Sequence, residues 1–163
     1  MTTSLQRLSQ VLWQQRELLE GLHYALEVEQ LILATGRTRW LLRAALDVES
    51  VLESMRKTEV LRAVAADEAA AALGLAPNPS LTELASRAQE PWSEMLGDHR
   101  AALLLTMQSI TELADANREL ITSGYRSARE TLLALGEATE GYAADGSAVV
   151  SASGGPVRVD RTF

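Results

Sequence analysis

The chain holds two histidines, His23 and His99, and neither has the company that metal or acid–base chemistry needs. Glu20 and His23 stand at E-x-x-H spacing, which puts both side chains on one helix face, as in di-iron helical bundles. Such a site also requires a second E-x-x-H and two further carboxylates. Three residues before His99 stands Leu96, so the second motif is missing. Asp98 and His99 are adjacent and point in different directions on a helix. The sequence has no cysteine, which removes disulfides, thiol nucleophiles and thiolate metal sites together. No serine sits in a G-x-S-x-G elbow, and no glycine-rich loop follows a strand. The residues therefore predict no catalytic centre, no metal and no cofactor, and the chain is not read as an enzyme.

The elements that would hold any site are helical. At 163 residues the chain is long enough for one domain with a real core. Hydrophobic residues make up 47% and charged residues 23%, a soluble globular composition, and with aromatics at 4% aliphatic side chains must fill the core. The net charge of −7 repels phosphate backbones and excludes nucleic acid as a partner. No basic segment leads an apolar one in "MTTSLQRLSQVLWQQRELL", so no signal peptide is expected, and no run of 18 apolar residues predicts a membrane span. A cytoplasmic location is expected.

From Leu5 a leucine recurs every seventh residue through Leu12, Leu19, Leu26 and Leu33, with Leu8 and Leu22 on the same face. This predicts a helix over about 4–34 that needs a partner for its stripe. Gly36 ends it and Thr38 is a plausible N-cap for the next helix, about 38–73, whose Leu41, Ala45, Val48, Leu52 and Met55 follow spacings of three and four. Beyond Glu59 that pattern loosens into Val60, Val64 and the run "AADEAAAAL", where little area is buried. "GLAPNPS" forbids continuation, and Ser80 with Glu83 forms a capping box that starts a short helix over 81–88. A last long helix, about 91–135, is marked by Leu96, Leu103, Ile110, Leu113, Leu120 and Ile121. Asn117 falls in register with these leucines: either it fixes pairing register from the core, or it faces water at the stripe's edge.

The expected fold is all-α: an antiparallel bundle of three long helices, with one short helix at a corner, over residues 1–136. The last helix is longer than the first, so Leu132, Leu133 and Leu135 either project and want a partner or are covered by the end of the second helix. Residues 137–163 are rich in glycine, alanine and serine and are expected to form a flexible tail. Tyr142, "AVV", "VRVD" and Phe163 give that tail a few anchors, the composition of a segment that folds on binding or of a frayed terminus.

Three stretches resemble the FlgN family of flagellar type III export chaperones. They are "LWQQRELLEGLHYALEVEQLILATGRTRWLLRA" at 12–44, "EPWSEMLGDHRAALLLTMQSITELADANRELI" at 90–121 with its Leu113, Asn117 and Leu120 run, and the ending with Tyr142, "ADG" and "VDRTF". The resemblance implies a cytoplasmic chaperone without enzymatic activity. It implies that the chaperone binds the C-terminal regions of hook–filament junction proteins, keeps them unassembled and delivers them to an export gate component. Carried over, the client surface is Leu120, Ile121, Tyr125, Leu132, Leu133 and Leu135, with Tyr142 as a tail anchor. Tyr125 and Tyr142 are both candidates for the gate contact.

Two other classes stay open. One is a coiled-coil adaptor, a homodimer through the leucine stripe of the first helix. The other is a ferritin-like metalloprotein, which metal analysis would detect. The sequence allows a monomer or a homodimer.

Overall fold

The computed structural model describes the backbone of residues 2–140 and the side chains of residues 3–137. Among these residues it is a helical bundle without strands: α1 (Thr2–Thr35), a 3-10 turn (Thr38–Trp40), α2 (Leu41–Leu73), α3 (Leu81–Arg87) and α4 (Trp92–Glu140). The chain divides into two compact units, Met1–Ile121 and a second that begins at Thr122, inside α4.

The core of the first unit is laid down by α1. Leu5, Leu8 and Leu12 pack with Ala65, Ala66, Ala69 and Ala70 of α2, Leu84 of α3 and Leu96 of α4. Leu19, Leu22 and Leu26 pack with Ile110 of α4, and with Val48, Val51, Leu52 and Met55 of α2 at the rim. The first half of α1 thus meets the second half of α2, and its second half meets the first half of α2, the pairing of two helices that run in opposite directions. Against α4 the order is the same as in α1. Each buried leucine contributes about 2 kcal/mol, whereas an alanine contributes little by area. The alanines act instead by bringing α2 close enough for the α1 leucines to be buried almost completely.

The breaks follow from backbone chemistry. Gly36 and Gly74 both take positive φ, 68° and 70°, and Gly74 closes α2 with its N–H directed to the carbonyls of Ala70 and Ala71. The expected capping box is present at α3: Ser80 Oγ accepts from the Glu83 N–H at 3.1 Å, and Glu83 Oε2 accepts from the Ser80 N–H at 2.7 Å.

The structure corrects several expectations. Thr38 does not cap α2; it lies in the 3-10 turn, and no side chain caps the helix that follows at Leu41. Ala44, not Ala45, is the buried alanine of that turn, because the core stripe of α2 runs through Ala44, Val48 and Val51. Leu120 and Ile121 are exposed, so the buried side of α4 ends at Asn117. Gly136 does not stop α4, and residues 137–140, expected in the tail, are helical. One glycine costs about 1 kcal/mol against alanine in a helix, which strong formers on both sides offset. The rest of the expected tail, 141–163, lies outside the described residues.

Candidate functional site

Two buried polar contacts fix α4 against α1 in the first unit. Asn117 is buried in the core: its Nδ2 donates to the Leu26 carbonyl at 2.9 Å and to Glu29 Oε1 at 3.1 Å. Of the two readings of this asparagine, the structure selects the core position. An amide that must meet one carbonyl and one carboxylate permits a single register of α4 on α1. Near the other end, His99 is also buried, its Nε2 3.1 Å from Ser9 Oγ and its ring edge-on to Trp13 at 5.0 Å between centroids. The Arg16 guanidinium lies over the Trp13 ring, 4.2 Å from its centroid. Burial pushes the His99 imidazole below its ordinary pKa, and the positive charge of Arg16 pushes it the same way. His99 had a signal in the sequence: it sits three residues after Leu96 and four before Leu103, on the buried stripe.

A cavity of about 390 Å³ lies over His99, lined also by Trp13, Arg16, Met95 and Asp98. His23 lines a groove with Glu20, Leu105, Thr106 and Ser109. Among the described residues no three His, Cys, Asp or Glu side chains gather as a metal-ligand set.

The sequence-derived client residues are surface residues. In the first unit, Leu120 and Ile121 are exposed at the end of the bundle's part of α4. In the second unit, Tyr125 (73% exposed) and Leu132 (70%) stand seven residues apart on one face of α4, and Leu135 follows at the same-face spacing of three. Leu133 is exposed too and stands about 80° round the helix from Tyr125 on one flank, as Leu135 does on the other. Helical geometry therefore brings Tyr125 and Leu132 into line and sets Leu135 and Leu133 on the two flanks of that line. Tyr142 lies outside the described residues.

The FlgN family model, described as FlgN protein, matches residues 1–149. The chain belongs to the FlgN family. That places it among flagellar export chaperones, a family of chaperones and not of enzymes. The match takes in all four helices, while the "VDRTF" ending lies beyond it. No curated protein and no solved structure matches the chain. No helix among the described residues is long and apolar enough to cross a membrane.

Proposed function

We propose that this FlgN-family chain acts in the cytoplasm, where it holds the C-terminal regions of hook–filament junction proteins unassembled and delivers them to an export gate component. The observation that carries the reading is the exposed apolar face of Tyr125, Leu132 and Leu135 on α4. A helix with an exposed apolar face is the form of surface that receives an amphipathic client helix. Burial of the two leucines contributes about 2 kcal/mol each, and the tyrosine adds area with a polar tip. After ordering costs that suits micromolar binding. Leu120 and Ile121 extend the proposed surface, Leu133 contributes from its flank, and Tyr142 is proposed as a further anchor. Tyr125 or Tyr142 meets the gate. The three long helices are proposed to form the up-down-up bundle that fixes the start of α4 while its later turns work on the client.

The test is co-purification of the full chain with the C-terminal segment of each junction protein from the same organism. A stoichiometric complex is expected. Leu132→Asp should weaken it at least tenfold, and Leu133→Asp or Leu135→Asp, on the two flanks, should weaken it less. Absence of a complex with every segment would move the adaptor reading ahead.

A further inference from the structure

The side of α2 that faces away from the core is not a uniformly polar face. Leu42 (72% exposed), Leu46, Val60 (65%) and Val64 all lie on it, opposite Ala44, Val48, Val51, Met55, Thr58 and Ala65, which face the core. Between the two apolar pairs stands a charged patch: Arg56 pairs with Glu49 at 3.4 Å and with Glu53 at 3.2 Å, and Lys57 lies 3.7 Å from Glu53. The positions 42, 46, 49, 53, 57, 60 and 64 are spaced by threes and fours, so they form one stripe along the helix.

This stripe is symmetric about Glu53. Leu42 and Val64 stand eleven residues before and after it, Leu46 and Val60 seven, Glu49 and Lys57 four. An isologous interface requires that when residue i meets residue j of a second copy, j meets i in return. Laid antiparallel on itself about Glu53, this face meets that condition at every level. Leu42 faces Val64, Leu46 faces Val60, and the Glu49 carboxylate faces the Lys57 ammonium, each twice. The spacings of four, seven and eleven belong to any stripe along a helix; what suits this face to a second copy is that its apolar residues fall at paired levels and its acidic and basic residues at opposed ones. The one like-charge meeting, Glu53 on Glu53, is flanked by Arg56 and Lys57 of both copies.

We propose that the outer face of α2 is a self-association surface, on which a second copy of the chain packs antiparallel about a two-fold axis at Glu53. The interface differs from the dimer expected through α1, whose leucine stripe is consumed inside the bundle. The stripe from Leu42 to Val64 is about 33 Å long at the usual helical rise. A single helix pair of that length buries less than the roughly 800 Å² per partner of a standard interface, so the dimer is weak and concentration-dependent.

Sedimentation velocity on the full chain, from about 5 µM to about 300 µM, tests this in the range where weak pairs form. The expected result is a shift from the 17.7 kDa monomer toward twice that mass. Leu46→Asp or Val60→Asp should weaken the dimer at least tenfold with helical circular dichroism unchanged. Glu49→Lys and Lys57→Glu should each weaken it, and the two together should restore it. Glu53→Gln should tighten it. Because the chain has no cysteine, Glu53→Cys gives a second readout that does not depend on affinity: oxidation should link two copies. Leu42→Cys alone should not link, but mixed with Val64→Cys it should. A monomer across the whole range, or a dimer indifferent to Leu46→Asp and to the charge swap, would overturn the proposal.

Discussion

His99 shows how much one residue type can mislead when it is read for chemistry. On its own it invites comparison with metal ligands. In the structure its neighbours are Ser9, Trp13 and leucines of the core layer, and its work is to seat α4 on α1. The groups that face it are Arg16 from α1 and Asp98 beside it on α4; Arg16 disfavours its charged form and Asp98 opposes that more weakly. The sign of the pH effect follows. The folded protein holds this imidazole neutral to a lower pH than the unfolded chain does, where it titrates near 6.5. Stability present above that value is lost as pH falls through it toward the folded pKa. The unfolding midpoint should therefore drop between about pH 7 and pH 5, and His99→Gln should flatten this dependence. A wild-type slope retained in the variant would assign the effect to other groups. Asn117 is the second residue whose role the sequence posed as an alternative; its two hydrogen bonds to α1 decide it.

At the scale of elements, the breaks and the α3 capping box were legible because their chemistry is local, whereas the cap expected at Thr38 was displaced by the 3-10 turn. Gly74, the prolines of "GLAPNPS" and the Ser80–Glu83 pair each act within a few residues, so sequence alone places α3 and the end of α2 closely. The α1 stripe was legible because seven-residue spacing is a property of one helix. What was not legible depends on neighbours. Val60 and Val64 are better core residues than alanine by hydropathy, yet they are exposed and Ala65, Ala66, Ala69 and Ala70 are buried. The reason is distance: the α1 leucines fill the layer, and only small residues leave α2 room beside them. Ala69 is fully buried there, so Ala69→Leu should overpack the layer and lower stability by about 1–3 kcal/mol, measured by urea unfolding. An equally stable variant would mean that the alanine face is not close-packed.

For the whole molecule, the two core layers and both α1–α4 polar contacts belong to the unit Met1–Ile121. In the second unit, Tyr125, Leu132 and Leu135 on the later turns of α4 present exposed apolar surface. The candidate surface was half legible in sequence. Leucines near the end of a helix longer than its partner announce an exposed face, but their actual exposure depends on what neighbouring elements cover, which no spacing within one helix records, and the run of α4 on through Gly136 was concealed by the composition of that stretch. The proposed client surface lies on α4 beyond the bundle's core residues. Amide hydrogen exchange of the full chain, with and without the C-terminal segment of a junction protein, tests it most directly. New protection is expected to concentrate in residues 122–140, with the amides around Leu5–Leu26 unchanged. Protection confined to α1 and α2, with 122–140 exchanging as before, would contradict it.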